Sequence, residues 1–175
     1  MPVVVGVCAL LLASLLGYVT LRDTVFDDAA ASSESHEYFS RSGGFSVTAP
    51  TALRMDAKGR TMKFMSQDKS LVINVGPGEK GSLKAADQRF LSRMQEGYRR
   101  FDLMATESMK VDGRPAVTSS GQATNANNVR IRFVVVTVQA KPRNYTIAAY
   151  TAHDSDPTVV LPLVNAVANG FHVLP

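Results

Sequence analysis

Gly76-Pro77-Gly78-Glu79-Lys80-Gly81-Ser82 lies between a β-type run and a helical run, which is the setting of a phosphate-binding loop. The glycine spacing fits, but the chemistry does not. Ser82 stands where a lysine is needed to reach the outer phosphates, and Leu83 stands where a hydroxyl is needed. The segment therefore reads as a strand-to-helix turn. His153-Asp154-Ser155-Asp156 gathers groups that a metal or a hydrolytic site would use. The other histidines, His36 and His172, lie far off along the chain, so no pair has the short spacing of a metal site. A turn followed by a helix cap accounts for the cluster. No serine occupies a G-x-S-x-G elbow. The acidic residues are too scattered to nominate an acid–base pair. Asn144-Tyr145-Thr146 spells a glycosylation sequon at the start of an expected strand and is read as a chance match. No catalytic residue, metal or cofactor is assigned.

What remains is positive charge. Arg130 and Arg132 alternate onto one face of an expected strand. Arg89 and Arg93 stand four apart on an expected helix and share its solvent side. These four are the candidate binding residues, with an anionic membrane surface or an unknown protein as partner. Arg54, Lys58, Arg60 and Lys63 add a further basic stretch. Nucleic acid is not expected, because only Tyr98 and Phe101 lie near enough to interleave bases with the basic residues.

Periodicity indicates the elements that must position these groups. Phe45 to Ala49, Thr61 to Ser66 and Leu71 to Val75 alternate as strands, with a turn at Gln67-Asp68-Lys69. Ser82 to Tyr98 is the clearest helix. Leu83, Ala86, Phe90, Leu91, Met94 and Tyr98 form its apolar stripe, and Lys84, Asp87, Arg89, Arg93 and Glu96 take the polar side. Leu103 to Val111 and Ala116 to Gln122 flank Asp112-Gly113, a tight-turn pair. After a polar loop, Val129 to Gln139 and Tyr145 to Thr151 follow as strands. Asp156 and Pro157 then cap a last helix ending near Asn169, with Pro162 as an awkward interior residue.

The start of the chain is a separate matter. Val3 to Leu21 has no charged side chain and, as a helix, spans roughly 28 Å, near the hydrocarbon thickness of a bilayer. It is apolar all round and is read as a transmembrane or signal anchor. The alternative is export with cleavage at Ala29-Ala30-Ala31, although that triplet lies well beyond the apolar run. The lone cysteine, Cys8, falls inside the run and leaves no intrachain disulfide. Residues 22–42, rich in Ser, Ala and Asp, are expected to be a flexible linker, and 43–175 the folded domain. The whole chain has a formal charge of +4. Residues 1–40 hold Arg22 against Asp23, Asp27, Asp28, Glu34 and Glu37, a net −4, which leaves +8 for the rest.

GGFSVTAP, LVINV, SLKAADQRFLSRM, MKVDGRPAVTSSG, RIRFVVVTV, YTIAAYTA and VNAVANGF, in that order, resemble the PsbP-like fold group. That group includes the extrinsic PsbP proteins of photosystem II and the DcrB-type proteins of the bacterial envelope. The resemblance spans Gly43 to Phe171 and rests on packing and turn signatures, none of them catalytic. A tryptophan often found after the first strand is absent, with Leu53 near its place. The resemblance implies a non-enzymatic binding or accessory domain.

The expected fold is α+β: a single antiparallel sheet of about six or seven strands, two main helices over it, and an N-terminal transmembrane helix. The expected function is a membrane-anchored, non-catalytic envelope accessory domain that binds a protein, a lipid surface or a small ligand. Its folded part is expected outside the cytoplasm. The alternatives are a hydrolase with a site assembled from distant residues, and a chaperone for membrane segments of other proteins.

Overall fold

A computed structural model describes residues 34–175. The expected anchor and residues 22–33 of the expected linker lie outside them. Among the described residues no helix is long and apolar enough to cross a membrane. The elements run β1 (Ser35–Ser40), β2 (Phe45–Pro50), β3 (Leu53–Lys58), β4 (Thr61–Ser66), β5 (Leu71–Pro77), α1 (Leu83–Glu96), β6 (Arg100–Val111), β7 (Arg114–Thr124), β8 (Arg130–Val138), β9 (Tyr145–Ala152), α2 (Pro157–Asn169) and β10 (Phe171–Val173).

The strands form two sheets, not the single one expected. Seven pair antiparallel in the order β3-β4-β5-β9-β8-β7-β6, and three form a second sheet in the order β1-β2-β10. The single-sheet expectation includes β2. This strand is instead buried along nearly its whole length and pairs with β1 on one edge and β10 on the other. Ser35–Ser40, whose polar composition reads as linker, is a strand because β2 offers it a backbone edge. β3 escapes detection for a similar reason: of its side chains only Leu53 is buried, as suits a charged edge strand.

Alternation along the central strands feeds two cores. Val134, Val136 and Val138 of β8 join Ile147 and Ala149 of β9 in the larger core with Phe45, Val47, Phe171 and, from α2, Val160, Val164 and Val167. Phe133 and Val135, with Ala148, face the other way and meet Leu91 of α1. Successive strand residues point to opposite faces. The two helices therefore cover opposite faces of the seven-stranded sheet. The small sheet lies on the α2 face, where Phe45 meets Tyr145 edge-on at 5.8 Å and Tyr38 meets Phe64 at 5.6 Å.

Local signals hold at the helix ends. Ser82 caps α1 by accepting the Ala85 N–H at 3.4 Å. Asp156 caps α2 through the Thr158 N–H at 2.9 Å, with Pro157 at the first helical position. The helix runs through Pro162, which faces solvent. Gly170 ends α2 where the chain presses on β2. A Cβ there would collide with the Thr48 carbonyl oxygen, so glycine is needed for the close approach.

Candidate binding surfaces

The four candidate arginines do not form one patch. Arg89 and Arg93 lie on the exposed side of α1, and Glu79 bridges them. Its carboxylate is 2.5 Å from Arg93 Nη2 and 3.6 Å from Arg89 Nε. Arg89 also donates to the Lys80 carbonyl. Arg130 and Arg132 lie on the α2 side of β8, with the sheet between the two pairs. One carboxylate thus offsets part of the positive field on α1, while the β8 pair has no carboxylate partner among the described residues.

The glycine-rich loop before α1 is held by structure, not shaped for phosphate. Asn144 is 1% exposed, and its amide donates to the carbonyls of Glu79 at 2.8 Å and Gly81 at 3.1 Å. The Gly78 N–H returns a bond to the Asn144 carbonyl at 2.8 Å. A fully engaged amide is no glycan acceptor, so the sequon is a chance match.

Sequence periodicity misplaces one titratable residue. Asp87, assigned to the solvent side of α1, is 3% exposed and sits against the sheet. It accepts the Ser119 hydroxyl at 2.8 Å and the Thr137 hydroxyl at 3.0 Å. Burial raises its pKa, and the two hydroxyls offset this only in part. The signal was present: Asp87 stands four before Leu91 and three before Phe90, within the apolar stripe. On the same face, burial and then the nearby Tyr98 push Tyr150 up to about 12.

The α2 face holds a different arrangement. Thr118 and Ser120 of β7 are both buried, and neither hydroxyl has a hydrogen-bond partner. Glu107 Oε2 and Arg132 Nε are likewise buried and unpartnered. Register places these groups together. Glu107 pairs with Thr118, Ser120 follows two residues on, and Arg132 pairs with Gln122 next along the same face. Asn165 Oδ1 is unpartnered on α2, and so are His153 Nδ1 and Ser155 Oγ in the connection that enters it. The His153 N–H donates to the Arg130 carbonyl at 3.2 Å. Burial, then the charges of Arg130 and Arg132, hold His153 below the usual imidazole range despite Asp154.

A second exposed feature is the outer edge of β6, which pairs with no strand but β7 among the described residues. Its register shifts between Leu103 and Ala105, a bulge at Met104. Leu103 and Met104 are about half exposed, at 49% and 51%. Phe101, two residues earlier, stacks on Phe133 with centroids 4.8 Å apart. Arg100 opens the strand and pairs with Asp102 at 2.7 Å.

The solution structure of cyanobacterial PsbP from Synechocystis matches this architecture with a TM-score of 0.61 at 18% identity, over 86% of this chain and 98% of that one. The Ran-binding protein Mog1p of Saccharomyces cerevisiae matches with a TM-score of 0.61 at 14% identity, over 82% and 97%. The fold is PsbP-like. A third PsbP-like match is LpqN, a Mycobacterium tuberculosis protein involved in cell envelope biogenesis, with a TM-score of 0.52 at 10% identity over 81% and 91%. No protein-family model matches the chain, and no curated protein sequence does. In this PsbP-like fold β1, β3 and β10 are sheet-edge strands that composition hides.

Proposed function

We propose that this chain is a membrane-tethered, non-catalytic accessory domain of the cell envelope that docks a protein partner. The observation that carries the reading is the free β6 edge. Two adjacent apolar side chains, Leu103 and Met104, stand half exposed at a bulge beside Arg99 and Arg100. An open strand edge offers unpaired backbone groups, and exposed apolar side chains beside arginines are the composition of protein interfaces. The Ran-binding relative of the fold binds a protein, and LpqN is involved in the cell envelope; both support the reading. The uncharged run Val3 to Leu21 supplies the tether, with the folded part outside the cytoplasm.

The test uses the full-length chain in native membranes. A photo-crosslinker at Met104 is expected to capture one protein. Leu103→Lys with Met104→Lys, in a chain whose melting is unchanged, is expected to abolish capture by a crosslinker at neighbouring Asp102. Undiminished capture by the double variant would remove the β6 edge from the interface. Carbonate washing is expected to leave the full-length chain in the membrane pellet. A soluble form beginning near Ser32 would mean cleavage at Ala29-Ala30-Ala31 instead.

A further inference from the structure

The connections between elements gather at the two ends of the strands, and charge divides unequally between those ends. One end holds residues 41–44, 59–60, 78–82, 112–113 and 139–144. Direct contacts join them. Arg60 Nε donates to the Ser42 carbonyl at 3.1 Å, the Tyr145 hydroxyl donates to the Gly44 carbonyl at 3.0 Å, and the Asn144 amide holds 78–82. Arg41, Arg60, Lys80, Lys141 and Arg143 lie in these connections, and Lys58 leads into one of them. All are exposed except half-buried Arg143. The acids there, Glu79 and Asp112, are already engaged, by Arg89 with Arg93 and by His172 with Arg114. At the other end the connections set Lys69 and Arg99 against Asp68, Asp154 and Asp156. The positive excess of the domain is therefore a property of one tip.

The layout of the tip restricts its complement. The 59–60 turn joins β3 to β4, and 139–144 joins β8 to β9, three strand spacings away. At about 4.8 Å per spacing the two basic groups stand roughly 14 Å apart. Bases so spread suit a run of carboxylates better than one small anion. An extended chain advances about 3.3 Å per residue, so acids four or five residues apart reach both groups. These connections contain no aromatic residue on which bases could stack. The start of the described chain is at the opposite end, where the Glu34 carbonyl accepts the Thr51 N–H at 2.9 Å beside the start of β3. Strands of six and seven residues, about 20 Å long, separate that end from the tip. A bilayer at the Glu34 end is then well beyond the screening length of about 8 Å.

We propose that this tip docks an acidic segment of a partner protein, with carboxylates at Lys58 and Arg60 and at Lys141 and Arg143. The choice of a protein over a bilayer rests on the tethered reading above. The contact itself does not, and it shares no residue with the β6 edge.

The experiment follows fluorescence anisotropy of a labelled peptide of alternating Glu and Gly, added to the full chain in neutral detergent. Binding is expected at low salt and is expected to weaken as salt rises. Lys58→Glu with Lys141→Glu, neither residue having an ion-pair partner among the described residues, is expected to weaken it roughly tenfold or more, because reversal turns attraction into repulsion. Arg54→Glu with Lys69→Glu removes the same charge from the opposite end and is expected to leave binding unchanged. Equal loss in both double variants, each melting as the parent does, would mean attraction to net charge alone and overturns the proposal. So does absence of binding at low salt, and so does tighter binding of a single-stranded oligonucleotide than of the peptide. A second arm measures acylation of Lys58 and Lys141 with the full chain in phosphatidylcholine discs and in discs containing phosphatidylglycerol. Equal rates are expected. Protection in the anionic discs would put the tip on headgroups and overturn the choice of partner. A chain that leaves the discs removes the tether, while the peptide result in detergent still decides the tip.

Discussion

The Thr137 hydroxyl on β8 donates to the Asp87 carboxylate on α1 at 3.0 Å, across 50 residues of chain. Together with Ser119 it fixes how the helix sits on the sheet, and it places an acid where burial disfavours its charge. With its pKa raised, Asp87 retains a proton in the folded state that the unfolded chain releases near pH 4. Stability from this group is full below that point and is lost as pH rises through the folded value. Asp87→Asn is expected to flatten that slope and to match or exceed the parent at neutral pH. Its amide can donate to Ser119, whose own proton turns toward Thr106, 3.1 Å away. Asp87→Ala strands both hydroxyls and is expected to cost about 1–3 kcal/mol. Urea unfolding between pH 4 and 7 separates the three proteins. A steeper slope in the Asn variant would refute the assignment.

Gly121 lets Phe133 lie across β7. A Cβ at that position would come within 2.7 Å of the Phe133 ring and collide with the Asp102 carbonyl oxygen. Gly121→Ala is therefore expected to destabilise by about 1–3 kcal/mol, the range for overpacking. A melting point lowered by several degrees checks it. An unchanged melt would mean that the Phe101–Phe133 stack shifts at little cost.

At the β6–β7 hairpin, Asp112 ties down the last strand. His172 Nδ1 is 3.0 Å from one carboxylate oxygen, and the Val173 N–H donates to the other at 3.2 Å. Burial raises the Asp112 pKa, but these bonds and the charges of His172 and Arg114 outweigh it, and the net shift is downward. Its stabilising effect is present above the unfolded carboxylate value, about 3.9, and is lost as pH falls through the lower folded one. Asp112→Asn is expected to reduce acid sensitivity below about pH 4 and to speed amide exchange in Phe171–Val173. Exchange as slow as in the parent would show that pairing with β2 alone holds β10.

Tyr150 carries a sign of its own. The unfolded phenol ionises near pH 10, whereas burial pushes the folded one up to about 12. Stability is therefore expected to fall across that interval, because the unfolded chain loses its proton first. Tyr150→Phe is expected to flatten the fall, as followed by phenolate absorbance and unfolding at alkaline pH. Phenolate appearing in the folded parent near pH 10 would contradict the burial argument.

Glu79 sets how much of the α1 charge is available. Both arginines it bridges are at least half exposed, so Glu79→Gln is expected to cost under about 1 kcal/mol of stability. It is also expected to raise retention on anionic vesicles at low salt, an effect that salt screens. If retention is unchanged, the α1 arginines do not face the bilayer.

Much of the fold is legible in local chemistry. Asp112-Gly113 requires a tight turn, and both residues adopt positive φ, 52° and 68°. Asp156-Pro157 starts a helix, and the alternation from Arg130 to Val138 assigns each side chain to a face. The exposed sites of Arg89 and Arg93 follow from helical spacing alone. The polar cluster on the α2 face was half visible. Arg130 and Arg132 stood out by type, but Thr118 and Ser120 read as ordinary strand residues, because nothing local says which hydroxyls a sheet will bury without partners.

Periodicity tells which side of an element is apolar, not which element it meets. Local residue chemistry accounts for the hairpins, the helix caps, the alternation of β8 and the apolar stripe of α1. Tertiary structure alone decided that Phe171–Val173 returns to pair with Phe45–Val47, more than a hundred residues earlier, and so draws β2 out of the large sheet. It also decided that α1 and α2 cover opposite faces, which parts the four arginines into two pairs and buries Asp87 against Ser119 and Thr137. Such outcomes depend on backbone edges and surfaces completed by distant segments, and their free energy has no counterpart in any local window of the chain.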